Sequence, residues 1–329
     1  MSDICLFGIS AFEAYRSSSL LSSGLYGLPR TSKLSSCDAA TVKDLSEDLA
    51  SLGVLGRPLH VLLDNDHLSR RVDGVAAHVW TRDVPPRAFV RCAPHILVPV
   101  PELCFLQLAD PSHVVRGQSG LAQEIELVLK GFELAGTYRI DSSIERGFRT
   151  IEHAVASVAS MKNMLEQCAP MRGCALARRA LQAIQDGAHS PGEVSMALML
   201  TGSRRLGGMG FPRGVLNWPV QTPGGQRYID LGLPEYFTGM EYKGRRFHPE
   251  ERSSVDDRRE NAIAGCGITL FNVWHEDLAD PQLFRQLVKD VSRVLHMRVR
   301  IRSEEFWFRQ SILRSRVLPP LRRYDDIAG

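Results

Sequence analysis

The run Gln226–His248, Q-R-Y-I-D-L-G-L-P-E-Y-F-T-G-M-E-Y-K-G-R-R-F-H, holds two acids and a base at spacings that suit one kind of chemistry. It predicts two short strands joined by a tight turn of glycine and proline, with Asp230 on the first and Glu241 and Lys243 on the second. Positions i and i+2 of a strand face the same way, so Glu241 and Lys243 share a face, and a neighbouring strand can bring Asp230 onto it. Two carboxylates and an ammonium at one spot match the needs of metal-assisted phosphodiester hydrolysis. The acids hold a hard cation such as Mg²⁺, and the lysine steadies the attacking water or the developing charge. Each residue also has a plain structural explanation. Asp230 can end a strand at a turn, and Glu241 with Lys243 can form an ion pair on a solvated face.

Flanking residues extend the set. His248 follows a basic turn and is a candidate ligand or proton shuttle near a leaving group. Arg245 and Arg246 are candidates to grip backbone phosphates, because guanidinium pairs well with phosphate oxygens. Asp257 and Arg258 lie on the following predicted helix, whose exposed face explains them equally well. Farther off, Asp64-Asn65-Asp66 lacks the glycine and distal glutamate of a calcium loop and reads as a turn. His60, His78 and His95 fall in three predicted strands without the spacing of a metal site, and read as structural. Eight arginines between Arg298 and Arg323 interleave with Phe306, Trp307 and Phe308. Such a tail suits nucleic acid, and it equally suits a basic extension packed by its aromatics.

The elements that must position these residues follow from periodicity and punctuation. A length of 329 residues predicts two domains, and 44% hydrophobic with 23% charged residues is ordinary for a globular chain. The net charge of +3 is too small to argue for nucleic acid by itself. Seven scattered cysteines without a C-x-x-C pair, no signal pattern and no long apolar run together predict a cytoplasmic protein. Residues 1–58 read as a polar, turn-prone segment with a helix over 38–52. Strands over 59–63, 75–80, 89–92 and 95–100, then helices from Pro101 and over 119–135, 143–168 and 174–186, predict an α+β recognition or interaction domain over 59–188.

A second domain over 189–296 opens on Ser190-Pro191-Gly192-Glu193, a capping box with proline at the first helical position, so a helix runs through Leu200. A strand over 215–221 belongs at an edge because of Pro219. The two strands of the acid-bearing run follow, then a helix over 255–264, a strand over 268–274 and a helix from Pro281 to about Leu295. Residues 297–329 form the basic extension. The expected fold class is α/β (α+β), with an α-β-β-β-α-β core in the second domain.

This order, with one acid on the second strand and E-x-K on the third, resembles the PD-(D/E)XK restriction-endonuclease-like superfamily. Within it, the stretch from about Ser190 to Leu295 is similar to the domain of unknown function related to very-short-patch-repair endonucleases. The residues that carry the likeness are S-P-G-E at 190–193, D-L-G-L-P at 230–234, E-Y-K-G-R-R-F-H at 241–248, D-D-R-R-E-N at 256–261 and G-I-T-L-F-N-V at 267–273. Many members of that family have aspartate two residues after the glutamate, where Lys243 instead follows the broader superfamily pattern. The resemblance implies that Glu193 joins Asp230 and Glu241 around the metal, although its capping role also explains it. The region 59–140 resembles the segment found in abortive-infection antitoxin-like proteins, and no function is carried over from it.

The expectation is a restriction-like endonuclease acting on DNA with Mg²⁺ or Mn²⁺, using Asp230, Glu241 and Lys243. The alternative is a catalytically silent nucleic-acid-binding regulatory or interaction protein of a defence or toxin–antitoxin type. A nicking enzyme works as a monomer, whereas cutting both strands commonly calls for two sites, which would make the protein a homodimer.

Overall fold

Short leucine-, valine- and isoleucine-rich runs punctuated by glycine and proline become strands, and the amphipathic stretches between them become helices. The computed structural model describes residues 3–17, 20, 27–34, 42, 44–64, 72–80, 83–113, 119–244 and 254–318. The protein is mixed α/β, and among the described residues it holds a six-stranded, a four-stranded and a two-stranded sheet. Two compact units divide the chain: 1–118 with 155–182, and 119–154 with 183–329.

The first unit begins with β1 (Ile4–Leu6), α1 (Gly8–Arg16), β2 (Arg30–Thr31) and α2 (Ser46–Ser51). It continues with β3 (Leu59–Leu63), β4 (Val75–Val79), β5 (Phe89–Ala93), β6 (Ile96–Pro99) and α3 (Pro101–Leu108). The sheet order is β2-β5-β6-β1-β3-β4. The N-terminal segment thus supplies a central strand, parallel to β6 and antiparallel to β3, and lies inside this unit's sheet. Gly8 turns the chain from β1 into α1 at φ +53°, a region glycine enters without steric cost. Tyr15 on α1 is fully buried, and its hydroxyl donates to the Pro99 carbonyl at 2.5 Å. Of the helix expected over 38–52, only Ser46–Ser51 is an α-helix among the described residues. Asn65 and Asp66 of the turn expected after β3 lie outside the described residues.

After α4 (Gly120–Ala135), β7 (Tyr138–Ile140) and β8 (Phe148–Thr150), which belong to the second unit, the chain returns with α5 (Val158–Cys168) and α6 (Cys174–Ala183). The helix expected over 143–168 is therefore corrected: its first part is a hairpin. Asp141 Oδ1 accepts from the Ser143 amide at 2.9 Å and its hydroxyl at 2.6 Å, Gly147 turns at φ +69°, and Phe148 pairs back with Ile140. A serine–aspartate turn competes with a helix start for the same donors, and here it prevails. Helix α5 instead starts at a capping box made by Ser157 and Ser160.

His60 and His78 do come together, with Nδ1 of one 2.8 Å from Nε2 of the other. Their third neighbour is His113, with ring centroids 4.6 Å from His60, and Phe7 stacks on His78 at 4.0 Å. His95 stands apart, 3.4 Å from Asp3. Among the described residues no group of three or more His, Cys, Asp or Glu could hold a metal ion.

The second unit carries α7 (Pro191–Leu200), β9 (Val215–Thr222), β10 (Gly225–Leu233), β11 (Thr238–Lys243), α8 (Ser254–Ala264), β12 (Thr269–Trp274), α9 (His275–Ala279), α10 (Pro281–Val294) and α11 (Glu304–Val317). Its sheet runs β12-β11-β10-β9, antiparallel except for the parallel pair β11–β12, whose crossover contains α8. The order α-β-β-β-α-β is the one expected, and β9, which holds Pro219, is an edge strand. Helix α7 is apolar nearly all round and buried along its whole length, as such composition requires.

Two boundaries differ from those expected at 188 and 296. Helix α4 and the β7–β8 hairpin belong to this unit, and so does the basic tail as far as residue 318. Helix α11 buries Phe306, Leu313 and Val317, packs on α4 and α7, accepts a hydrogen bond from Ser195 Oγ at the Val317 carbonyl, and pairs Arg316 with Glu126. Arginines of the Gly202–Gly214 loop are structural too: Arg205 grips Glu124 with both Nη atoms, and Arg213 donates to the Ile184 carbonyl. Among the described residues no helix is long and apolar enough to cross a membrane.

The histidine pair sets an acid limit for the first unit. Burial lowers His60, and burial followed by the His60 charge lowers His78 to about 4, while Asp110 opposes this and Arg172 adds to it. A base depressed in the folded state contributes stability above its unfolded value that is lost as pH falls through the folded one, here from about 6.5 to about 4. His78→Phe keeps a ring against Phe7 but cannot take a proton. Melting of this variant should depend less on pH across that window than wild type; equal slopes would contradict the assignment.

Candidate active site

Asp230 sits on β10, and Glu241 and Lys243 sit on β11, the neighbouring antiparallel strand. The pairs Leu231–Met240 and Gly232–Gly239 fix the register, and one step further along it Asp230 stands opposite Glu241. The ladder between β9 and β10 skips the step where Asp230 would face Asn217, and Asn217 takes φ +48°. Asparagine tolerates that left-handed conformation better than most residues, and the ladder is locally interrupted beside Asp230. Asp230 Oδ2 then accepts the backbone N–H of Tyr242 at 2.8 Å, tying it to the residue between the other two candidates.

Glu241 and Lys243 share the face covered by α8, as their i, i+2 spacing requires. Lys243 Nζ lies 3.0 Å from Glu241 Oε2 and 3.5 Å from Glu260 Oε1. Arg259 on α8 donates to Glu241 Oε2 at 3.2 Å and to the Tyr228 carbonyl at 2.5 Å. Its Nη2 is also 2.8 Å from Glu241 Oε1 as an ion pair, and among the described residues that oxygen accepts no hydrogen bond. Asn272, level with Glu241 on β12, donates to Glu260 at 3.4 Å, and its buried Oδ1 has no hydrogen-bond partner among the described residues. Glu241 is only 3% exposed.

Tyr242 points to the other side, toward α7. A Cβ on Gly192 would fall 2.3 Å from the Tyr242 ring, so only glycine lets the start of α7 seat against β11. That seating sets Glu193. Its carboxylate accepts from the His189 amide at 2.8 Å, Ser190 Oγ at 2.9 Å and Asn217 Nδ2 at 2.7 Å, while Ser190 Oγ accepts the Glu193 amide at 3.2 Å. The cap predicted from Ser-Pro-Gly-Glu is present, and it also fixes the irregular residue of β9.

The electrostatics tie the three acids together. Burial, then the charge of Glu193, push Asp230 up to about 7; the Tyr242 amide opposes this, Glu241 adds to it, and Arg259 opposes it. Burial raises Glu193 as well, against its hydrogen bonds and Arg146. Among the described residues Asp230 thus has no cation paired with it, while Glu241 has two.

The structure brings Asp230 opposite Glu241 with Lys243 beside it, and Glu193 within electrostatic reach of Asp230. Glu193, Asp230 and Glu241 do not form a three-acid group that could hold a metal ion, so the ligand role expected of Glu193 is corrected: its carboxylate is taken up by the cap and by Asn217. Arg245, Arg246 and His248 lie outside the described residues, as does the side chain of Asp257, and Arg258 is exposed. Sequence reasoning missed Arg259, Glu260, Asn217 and Asn272. One signal was available: Ile263 is buried on the sheet, and residues three and four earlier on a helix share its face, which selects Glu260 and Arg259 over their neighbours. No protein-family model, curated protein or solved structure matches the chain.

Asp230 predicts a pH effect of opposite sign to that of His78. An acid raised in the fold contributes stability that is full below its ordinary value of 3.8 and is lost as pH rises through about 7. The whole span is worth at most about 4 kcal/mol. In chelator, Asp230→Asn should match wild type near pH 4 and be more stable at pH 8 by up to a few kcal/mol. Equal or lower stability at pH 8 would show that Asp230 is not strained by its neighbours.

Proposed function

We propose that the second unit is a metal-dependent endonuclease that hydrolyses DNA phosphodiester bonds, with Asp230 and Glu241 as ligands for Mg²⁺ or Mn²⁺. The observation that carries this reading is the crowding of Asp230 by Glu193 and Glu241 beside Lys243, in an α-β-β-β-α-β unit. The residues fit a hard cation. Burial and then the charge of Glu193 raise Asp230 to about 7, and among the described residues Glu241 Oε1 accepts no hydrogen bond, with Arg259 Nη2 2.8 Å from it. Mg²⁺ commonly takes one or two carboxylates and completes its shell with water and substrate phosphate, so two acids suffice. When bound, such an ion polarises a phosphoryl oxygen and makes a coordinated water more acidic.

The chain's own groups do the rest. The Lys243 ammonium, steadied by Glu241 and Glu260, donates hydrogen bonds that orient the attacking water and offset charge growing on phosphoryl oxygens. Glu193 acts through its charge and by holding Asn217, which keeps β9 bent beside Asp230. Arg245 and Arg246 as phosphate contacts, and His248 near the leaving group, belong to the same proposal.

One observation favours a second reading, a catalytically silent nucleic-acid-binding protein. Glu241 is already compensated by Lys243 and Arg259, so the guanidinium can stand where a cation would. Incubating the purified chain with plasmid and linear DNA in Mg²⁺ or Mn²⁺ separates the two. Cleavage should fall about 10²-fold or more in Asp230→Ala, Glu241→Ala and Lys243→Ala. DNA binding without cleavage by wild type would favour the silent reading, and activity surviving all three changes would place the chemistry elsewhere.

A further inference from the structure

Away from the acids, the second unit holds a cavity of about 450 Å³ lined by α10 and by residues 297–307, a size typical of small-molecule pockets. Phe284, Val288, Val299 and Ile301 give it an apolar floor, and Trp307, 39% exposed, stands in its lining. Arg285, Lys289 and Arg293 also line it, at i, i+4 and i+8 of α10, so they form one row with steps of about 6 Å. Among the described residues no acid lines it. Among the described residues Arg285 and Lys289 make no ion pair, and Arg293 shares an exposed pair with Asp290, which is worth little. Of the other acids of these elements, Asp280 caps α10 and lies within electrostatic reach of Arg285, Glu305 pairs with Arg309, and Glu304 is exposed in the first turn of α11.

We infer that this groove binds an unpaired nucleic-acid strand, with its phosphates along Arg285, Lys289 and Arg293 and one base stacked on Trp307. The inference rests on the proposed action on nucleic acid and adds where a strand is held. A row of cations at steps comparable to those between successive phosphates supplies a sequence-independent track. An exposed indole over an apolar floor supplies a face for any base, because every base has a π-surface. A duplex keeps its bases stacked inside and would gain nothing from that ring, and an acidic peptide has no flat face to offer it.

The test uses the full chain carrying Asp230→Asn, so that binding is read without cleavage, and a labelled oligothymidylate followed by fluorescence anisotropy. Arg285→Ala/Lys289→Ala/Arg293→Ala should weaken binding at least tenfold and reduce the slope of log affinity against log salt by about 2, the release expected for three charges on a single strand. Trp307→Ala should weaken it roughly 5- to 100-fold, and Trp307→Phe should retain most of it. Melting temperatures of the variants check that each is folded. Unchanged affinity and salt slope in the triple variant would overturn the inference, as would equal competition by polyglutamate or equal sensitivity of duplex binding to Trp307→Ala. If wild type cleaves nothing but these differences appear, the groove stands and the nuclease reading falls. If the triple change leaves strand binding unaltered and, with Asp230 intact, leaves cleavage at the wild-type level, the groove falls and the nuclease reading stands.

Discussion

A carboxylate buried in a sheet must be compensated, and the second unit is arranged around that requirement at Glu241. Removing an ion of this kind from water is strongly unfavourable unless partners are fixed in place. Two partners come from different elements: Lys243 from the same strand face, Arg259 from the helix that crosses between β11 and β12. The crossover helix is pinned in turn, because Arg259 also donates to the Tyr228 carbonyl on β10 and Ile263 packs on Ile229. Charge and packing therefore agree on one placement of α8, and Glu260 and Asn272 extend the same polar layer.

Asp230 presents the complementary case. It is half-buried, Glu193 and Glu241 both act on it by charge, and it accepts one backbone amide, that of Tyr242. Natural folds seldom leave such a group without use, since a structural site could replace it with asparagine or an apolar side chain at little cost. Among the described residues Glu241 has two paired cations and Asp230 has none. The acidic charge beside Asp230 has a traceable source in the fold: Gly192 admits α7 against Tyr242, and that brings Glu193 within electrostatic reach of Asp230.

Much of this is legible in the residues. The i, i+2 spacing of Glu241 and Lys243, the capped start at Ser190 and the edge position forced by Pro219 depend on local geometry, and local geometry is what a sequence encodes most directly. What stays hidden depends on long-range packing. Arg259 looks like any charge on a polar helix until Ile263 fixes which side faces the sheet. Asn217 gives no sign that β9 breaks its ladder opposite Asp230. The region after Ile140 misleads for a different reason, because Asp141 and Ser143 satisfy a turn as readily as a helix start. Interleaved arginines and aromatics in the tail conceal a helix whose apolar stripe, Phe306, Leu313 and Val317, belongs to the core.

A divalent cation at Asp230 would offset the charge that Glu193 and Glu241 place there, and the nuclease proposal for the second unit turns on that ion. Titrating the full chain with Mn²⁺ near pH 7, and following free Mn²⁺ by electron paramagnetic resonance, measures this without reference to any nucleic acid. One ion should bind per chain, with binding weakened as pH falls below the Asp230 value of about 7 and abolished by Asp230→Asn. Absence of binding in wild type, or binding of equal strength in Asp230→Asn, would contradict it.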